Sequence, residues 1–484
     1  MSATRFHDVT VVGGSLAGGL LAGLLARRGL DVLWLGQADP GPVYRNQGMQ
    51  LPAYLYWLPP AGKAPALDRV LTELGLEDRV HLLGGKRRLP LQLLAPDSRV
   101  ELSLERGRLQ AELARAGLGG GQEVLGWLES RQAAGEAYSS LLADPGLVLP
   151  RSLPEKLRSR RRFKGLQAAP ADTAPARPRL LELLVTASQF FCHLEPAQLH
   201  PLLATRWLLA MLLGMRPVGK LLQSLWEAAT RLGCESRSNL VVEEIRPDGS
   251  KAVDLFLAGG ERPRRSGVVV LALPPTRAVE LLALGGGRRK LQAVVGRVRQ
   301  TGAMFTMNLV LPADKLPLGL NPTSLVVMPP PADAEEKEQQ LMLMHHQALE
   351  SRPGKVVVHL ACRVAAGQRF LGRQALSAWQ TRMTRAAAGI IPFLEENLEN
   401  VSSPFWENRA DDRPHPDPWN LHAIVETDSE LFMGCALDNP RPPRRNILLV
   451  GPQQVPGLGL EGQALAAERL AGHIERIVSR KKVL

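Results

Sequence analysis

The clearest pattern of apolar and polar positions lies at the start of the chain. Residues 8–12 form a short apolar run that ends at Gly13, and leucines then recur at helical spacing from Leu16 to Leu25. Residues 31–35 (DVLWL) form a second, unbroken apolar run, as in a parallel strand that is covered on both faces. This order predicts strand, glycine-rich turn, helix and strand, a βαβ unit of nucleotide-binding proportions.

The rest of the chain mixes helical and strand-like periodicity. Helices are predicted over residues 67–75, 106–116, 180–215, 218–232, 376–398 and 461–478. Strands are predicted over residues 239–245, 252–258, 267–273, 303–311, 324–328, 341–346, 356–362 and 446–450. The alternating runs between residues 303 and 362 favour an antiparallel sheet, whereas the apolar strands near both chain ends favour a parallel sheet assembled from distant segments.

The residues after the first strand match a dinucleotide-binding fingerprint: Gly13, Gly14, Ser15, Leu16, Ala17 and Gly18. Gly13 permits a tight turn, Ser15 is small enough for a pyrophosphate to approach the backbone, and Gly18 permits close packing of helix on strand. The free N–H groups at the helix start would then face an anion. The same pattern also fits a tight strand–helix turn that binds nothing.

The acidic residue that usually ends the second strand of such a unit is missing. Gly36 stands at this position and Gln37 follows it. The carboxylate normally binds the ribose hydroxyls, and the loss of one charge-assisted hydrogen bond costs roughly 1.5–3 kcal/mol of binding. Gln37 or Asp39 can replace it in part.

Length and composition restrict the class of protein. The chain has 484 residues, enough for two or three domains, and its 45% apolar and 22% charged residues exclude a wholly disordered chain. No run of 18 uncharged apolar residues predicts a membrane span, and the first residues lack the layout of a secretory signal. Cys192, Cys234, Cys362 and Cys435 form no C-x-x-C pair, so reduced core thiols and a cytoplasmic location are expected.

The net charge is +12, from 59 Lys and Arg against 47 Asp and Glu. The basic residues cluster at 156–164, 262–265, 288–290, 441–445 and 480–482, mostly in segments that resemble loops. They form either a solvated basic surface or a face for an anionic membrane or nucleic acid. Neither a nucleic-acid-binding module nor interleaved aromatic residues accompany them, which argues against nucleic acid.

Four ordered motifs make the chain resemble the superfamily of flavin amine oxidases, protoporphyrinogen oxidases and phytoene desaturases. They are residues 13–18, residues 216–220 (RPVGK) before an amphipathic helix, residues 268–275 (VVVLALPP), and residues 446–452 (NILLVGP) continuing through 457–462 (GLGLEG). The resemblance covers nearly the full length. It implies an α/β, two-lobed flavoprotein with a doubly wound FAD/NAD(P)-binding, Rossmann-like domain and a substrate domain of mixed or antiparallel sheet plus helices.

The resemblance also implies the domain boundaries. The FAD-binding domain would combine residues 1–75, 218–300 and 440–484. The substrate domain would combine residues 76–217 and 301–439. FAD would lie between the two.

By the same resemblance, a second cofactor contact lies near the C-terminus, at Gly451, Gly457, Leu458, Gly459, Leu460 and Glu461. The helix that begins here would direct its amides at the flavin; a glycine-rich loop that only caps a helix is the alternative. Pro452 stands where the superfamily usually carries an aspartate that meets ribityl or phosphate oxygens. The superfamily's Gly-Gly-Arg stretch corresponds to residues 41–45, in which Arg45 can still reach a phosphate.

The function implied is that of an FAD-dependent oxidoreductase of the desaturase or amine-oxidase type. Hydride would pass from an apolar or amine-bearing small molecule to the flavin, which needs no catalytic acid or base, and no catalytic residue is assigned. No spacing supports a metal site, and His345 with His346 fits the polar face of a strand. The alternative is a degenerate, non-catalytic relative that serves as a partner or assembly subunit, suggested by Gly36 and Pro452.

Residues 190–215 bear on substrate and partners. Their leucines and aromatic residues fit an apolar tunnel, a segment that contacts a bilayer surface, or a buried helix pair. We expect an apolar small-molecule substrate and a homo- or hetero-oligomer.

Overall fold

Two large β-sheets, each backed by helices, organise the chain. The computed structural model describes residues 5–36, 43–60, 62–77, 91–96, 98–103, 105–116, 121–167, 179–218, 220–238, 240–249, 252–260, 263–282, 286–329, 340–366, 372–405, 422–428 and 445–483. The statements below refer to these residues.

The helices are α1 (Leu16–Arg27), α2 (Pro65–Glu73), α3 (Arg106–Arg115), α4 (Gly121–Leu141), α5 (Pro145–Val148), α6 (Leu153–Gln167), α7 (Arg179–Ala187), α8 (Pro201–Leu213), α9 (Leu221–Arg231), α10 (Pro275–Leu281), α11 (Gly286–Val295), α12 (Gly372–Ala388), α13 (Leu394–Asn397) and α14 (Gly459–Val483). The strands are β1 (Phe6–Val12), β2 (Val32–Leu35), β3 (Val43–Asn46), β4 (Met49–Pro52), β5 (Tyr56–Leu58), β6 (Gln92–Ala95), β7 (Ser98–Glu101), β8 (Arg216–Val218), β9 (Glu235–Arg237), β10 (Val242–Asp248), β11 (Ala252–Leu257), β12 (Arg264–Leu271), β13 (Val298–Pro312), β14 (Thr323–Met328), β15 (Gln340–Ala348), β16 (Lys355–Ala365), β17 (Asn400–Ser402), β18 (Ala423–Thr427) and β19 (Ile447–Leu449).

The first sheet is built around β1. Its strands follow the order β10, β11, β12, β1, β2 and β9, and β19 also pairs with β12. The strands β9, β2, β1, β12 and β19 run parallel, while β10 and β11 form an antiparallel hairpin attached to β12. Since β1 lies between β2 and β12, the winding of the chain reverses beside it, and a crevice is expected at the carboxyl ends of these strands.

Helices cover both faces of this sheet. On one face α1 packs against α9 and α14, and its Leu20 and Leu24 are completely buried. On the other face Leu281 of α10 and Leu291 of α11 join the core formed by Val12 and other strand residues. The continuous apolar runs of β1 and β2 follow from this double cover.

The second sheet has the order β17, β13, β16, β15, β14, β6 and β7, with β18 also paired to β13. All its described pairings are antiparallel except that of β14 with β6. Its helix α12 closes a separate core in which Trp379 and Met383 pack on the strands. The α/β class with a Rossmann-like sheet and a second, mixed sheet is therefore confirmed. The boundaries of the two domains remain a prediction.

One long predicted helix is broken. Residues 180–215 form α7 and α8 instead, separated by a 3₁₀ turn at Ser188–Phe190 and by an extended segment. Pro196 and Pro201 explain the break, because proline lacks the N–H that a continuing helix needs and fits the first turn of a new one. Phe190 and Trp207 are about 1% exposed, so these aromatic residues belong to a buried core.

The basic clusters are less loop-like than the sequence suggested. Residues 156–164 lie in α6, residues 288–290 in α11 and residues 480–482 in α14. Arginine and lysine are good helix formers, so such clusters are compatible with a helix as well as with a loop. Of the cluster 441–445, only Arg445 lies among the described residues.

Cys192, Cys234 and Cys362 are buried free thiols, and Cys435 lies outside the described residues. Within the described ranges, the longest apolar helices are too short or too polar to span a bilayer.

Candidate functional site

A cavity lies at the carboxyl edge of the first sheet, where the winding reverses. Its wall includes residues that follow three parallel strands: 14–16 after β1, 272–276 after β12, and 450–453 at the end of β19. Open α/β sheets bind ligands at this place, because several strand ends and helix starts converge there. Of the predicted cofactor residues, the cavity brings together Gly14, Ser15, Leu16 and Gly451.

The turn between β1 and α1 is closely fitted to the neighbouring strand. Gly13 has φ of +121°, and a Cβ there would lie 2.3 Å from the carbonyl oxygen of Ala272. A Cβ on Gly18 would lie 2.7 Å from the Cβ of Ala272. Both glycines are therefore required by backbone conformation or packing, and they bring α1 close to β12.

Ser15 caps the first helix. Its side-chain oxygen accepts a hydrogen bond of 3.3 Å from the backbone N–H of Gly18, which leaves other amides of the first turn available to an anion at the cavity. Ala17 and Gly18 follow within the same turn but are not part of the cavity wall. The glycine loop thus presents a helix start rather than a charged side chain to this space.

The end of β19 supplies a polar group that the sequence did not single out. Pro452 and Gln453 follow Gly451 and line the cavity. The Nε2 of Gln453 is buried and has no hydrogen-bond partner among the described residues. A buried, unsatisfied donor at a cavity wall is costly without a ligand, so Gln453 offers a donor near the place where the superfamily carries its aspartate.

The second glycine motif lies behind the cavity wall. Gly457, Leu458, Gly459, Leu460 and Glu461 are all buried and do not line the cavity. A Cβ on Gly459, whose φ is +55°, would lie 2.1 Å from the backbone carbonyl oxygen of Phe191. The first residue of this helix region that does reach the cavity is Gln463.

A buried ion pair fixes the start of α14. Arg206 of α8 pairs with Glu461, and the two side chains are 5% and 0% exposed. The second carboxylate oxygen of Glu461 accepts a 3.1 Å hydrogen bond from the backbone N–H of Ala66. Trp207 donates a 2.9 Å bond to the carbonyl of Gly457. Burial raises the pKa of Glu461, and the facing Arg206 opposes this shift. These contacts join α2, α8 and α14.

The remaining predicted contacts are placed as follows. Gly36 is buried at the end of β2, and its N–H donates a 2.9 Å hydrogen bond to the carbonyl of Arg237. Gln37 and Asp39 lie outside the described residues. Arg45 is exposed on the β3–β4 hairpin and is not part of the cavity wall.

His193 lines the end of the cavity that lies away from the β1–α1 turn, here called the far end. Its backbone N–H donates a 2.8 Å bond to Pro456, and its carbonyl accepts a 2.8 Å bond from Val425. Its Nδ1 lies 3.1 Å from the carbonyl oxygen of Ala423. Since a carbonyl only accepts, Nδ1 carries the proton and Nε2 bears the lone pair. The Nε2 of Gln463 lies 3.5 Å from that nitrogen.

A second histidine supports the first. The rings of His193 and His422 stack with centroids 4.3 Å apart. The Nε2 of His422 lies 2.9 Å and 3.0 Å from the carbonyl oxygens of Gln189 and Cys192, so it donates, and its Nδ1 accepts from the hydroxyl of Tyr54. Burial lowers the pKa of His193 to about 4 and that of His422 well below its ordinary value. Both rings are neutral near pH 7.

Sequence reasoning missed this end of the cavity, which is formed by Tyr56, His193, Gln300, Ala423, Val425 and Gln463. These residues come from five separate segments, so no spacing connects them. The one local signal was a polar histidine directly after the apolar run at residues 190–192. Within the described part of the chain, no group of three or more His, Cys, Asp or Glu residues is placed to hold a metal ion.

The amino-acid sequence matches no protein-family model and no curated protein. Its fold, however, is shared with solved structures over almost their whole length. Putrescine oxidase bound to putrescine is 16% identical, with a TM-score of 0.60 over 98% of this chain and 100% of that one. Cyclohexylamine oxidase from Brevibacterium oxydans is 14% identical, with a TM-score of 0.55 over 98% and 99%. A fatty acid isomerase from P. acnes that produces CLA is 13% identical, with a TM-score of 0.54 over 97% and 98%.

Proposed function

We propose that the protein is an FAD-dependent oxidoreductase of the flavin amine oxidase superfamily and that FAD binds in the cavity at the edge of the first sheet. The observation that carries the proposal is the convergence of the β1–α1 glycine turn and the end of β19 on one cavity, at the point where the winding reverses. The shared fold with amine oxidases and a fatty acid isomerase supports it.

The residues present fit a dinucleotide. The amides at the start of α1, beside Gly14 and Ser15, suit the pyrophosphate, because a helix N-terminus favours an anion. The unsatisfied Nε2 of Gln453 is available to a ribityl or phosphate oxygen. Gly36 and Pro452 stand where carboxylates usually accept hydrogen bonds from ribose and ribityl hydroxyls. Without these hydrogen bonds, we expect FAD to bind less tightly than in a protein with the complete set of contacts.

FAD, when bound, supplies the hydride acceptor. The protein then has to bind the substrate beside it, exclude water and orient the reacting carbon. Val425 gives the far end of the cavity apolar surface, and the neutral His193 gives it one fixed acceptor. The substrate therefore belongs to the class of apolar small molecules, with an amine or another small polar head.

In the experiment, FAD-loaded protein is mixed anaerobically with a panel of amines and unsaturated hydrocarbons. The absorbance of the flavin bands is recorded after each addition. The proposal predicts that the purified protein takes up FAD, becomes yellow, and that at least one compound bleaches the bands. Protein that stays colourless after incubation with FAD would overturn the whole proposal. If the protein binds FAD but no compound of the panel bleaches the flavin bands, the proposal of an oxidoreductase is overturned and a non-catalytic relative is favoured.

A further inference from the structure

The described residues that line the cavity carry no formal charge. None of the described residues that line it is Asp, Glu, Lys or Arg. Its polar side chains are hydroxyl, amide and imidazole groups: Ser15, Tyr56, His193, Thr276, Gln300, Gln453 and Gln463. A charged head group that left water for this space would have no partner of opposite sign among these residues, and an unpaired buried charge is strongly unfavourable.

Two polar groups of fixed character distinguish the ends of the cavity. At the first end, Gln453 and the amides of α1 are donors, which suits an anionic or oxygen-rich ligand. At the far end, the proton on Nδ1 of His193 is committed to Ala423, and its Nε2 is an acceptor. The Nε2 of Gln463 lies 3.5 Å from that nitrogen, which is too long for a strong hydrogen bond. The acceptor is thus free to take a better donor.

The position of this acceptor is rigid. Two backbone hydrogen bonds, to Pro456 and from Val425, hold His193 between the C-terminal segment and the second sheet. The stacked ring of His422 fixes the plane of the imidazole. A group held in this way favours one orientation of a ligand, because little conformational freedom remains to be lost on binding.

We propose that the far end of the cavity selects a neutral, largely apolar ligand whose head group donates one hydrogen bond to Nε2 of His193. This rests on the proposed function for its place beside the flavin, but its contacts belong to the protein alone. An amine would enter in its uncharged form, and its N–H would be the donor. A diamine with two cationic ends is excluded by the uncharged wall.

Three cyclohexane derivatives of nearly equal shape test the proposal: cyclohexanol as a neutral donor, cyclohexanone as a neutral compound without a donor, and cyclohexylammonium at pH 7 as a cation. Their dissociation constants are measured by ligand-observed NMR on the FAD-loaded protein and again on the protein as purified. One net hydrogen bond corresponds to roughly 2- to 12-fold, so cyclohexanol should bind tighter than cyclohexanone by that factor. Cyclohexylammonium should bind most weakly of the three. Equal or tighter binding of the cation would overturn the proposal.

Two variants assign the preference to His193. His193→Phe removes the acceptor and should bring the ratio between cyclohexanol and cyclohexanone to about one, whereas His193→Gln retains an acceptor oxygen and should keep part of it. His473→Phe is the matched control, because His473 of α14 does not line the cavity, and the ratio should stay as in the unaltered protein. If His193→Phe does not fold, the ratio in His193→Gln and the ranking of the three compounds still test whether His193 supplies the acceptor.

Two other results would count against this assignment. A preference for cyclohexanol that survives His193→Phe would place the acceptor elsewhere. A shift of the flavin absorption bands in His193→Phe, with an unchanged ratio, would mean that Nε2 accepts from the flavin rather than from the substrate. Failure of FAD to bind is read separately by absorbance, so it would remove the flavin proposal without obscuring the ratio measured on the protein as purified.

Discussion

The indole Nε1 of Trp34 donates a 2.8 Å hydrogen bond to the carbonyl oxygen of Gly13. Trp34 is completely buried on β2, and its ring contacts that of Trp226 with centroids 4.3 Å apart. A Cβ on Gly19 would lie 2.9 Å from the Trp34 ring, so the helix also packs directly on it. The side chain of the second strand thereby fixes the turn that faces the cavity.

Trp34→Phe should destabilise the protein and weaken FAD binding. The variant leaves the Gly13 carbonyl without this donor, and an unsatisfied buried acceptor costs about 1–3 kcal/mol. Trp127→Phe is the control for the loss of indole volume, because Trp127 is also buried but its Nε1 has no partner among the described residues. Urea unfolding should show the larger loss for Trp34→Phe; equal losses would contradict a role for the hydrogen bond.

Breaking the Arg206–Glu461 pair should be strongly destabilising. Glu461→Gln leaves the guanidinium buried beside a neutral group, and the removal of one partner of a buried pair costs about 3–5 kcal/mol. The double variant Arg206→Met, Glu461→Gln should lose less than the sum of the two single variants. Glu280→Gln, which breaks the exposed pair with Arg277, is the control and should change the free energy of unfolding by less than about 1 kcal/mol. A Glu461→Gln loss as small as that of the control would show that the buried pair is not formed.

Because His193 and His422 are buried in their neutral form, we expect the free energy of unfolding to fall as the pH is lowered. Burial lowers the pKa of His193 from 6.5 to about 4, so the unfolded chain binds a proton that the native protein resists. The stabilisation is complete above pH 6.5 and is lost as the pH falls toward 4, by roughly 3 kcal/mol for this group. The groups that face its ring are the neutral His422, Gln463 and the Ala423 carbonyl.

This prediction is checked by urea unfolding between pH 7 and 4.5. His193→Gln should flatten the pH dependence, and His422, whose pKa is shifted in the same direction, should account for part of the slope that remains. A free energy of unfolding that does not change over this range would contradict the buried, neutral state of both rings.

A carboxylate restored at the end of β19 should strengthen FAD binding. Pro452 lines the cavity and is only partly buried, so Pro452→Asp places a charged acceptor where ribityl hydroxyls are expected. A hydrogen bond to a charged group contributes about 1.5 kcal/mol or more, which corresponds to roughly tenfold in the dissociation constant. Pro452→Ala removes the ring without adding the carboxylate and is the matched control. If both variants bind FAD equally, the ribityl chain does not lie beside residue 452.

The first βαβ unit could be predicted closely from the sequence, because its signals are local. The apolar run before Gly13, the helical leucines and the run at residues 31–35 each correspond to one observed element. The antiparallel strands of the second sheet were also predictable from their alternation. Helix α4 was missed, since Arg131 and Gly135 interrupt the apolar residues on its buried face.

The candidate site was only partly predictable. Gly14 and Gly451 could be assigned to one crevice by resemblance, since both belong to motifs with a fixed position at a strand end. His193 could not, because it reaches the cavity through an extended segment between α7 and α8 and pairs with β18, more than 200 residues later. Such a position depends on tertiary contacts that no local pattern encodes.

The central claim is that the crevice beside the β1–α1 turn binds FAD, and an equilibrium titration of flavin fluorescence tests it most directly. Protein added to a fixed amount of FAD should quench the fluorescence to saturation at one FAD per chain, and Trp34→Phe should shift the curve to higher protein concentration. Fluorescence that falls without saturation, or not at all, would contradict the claim.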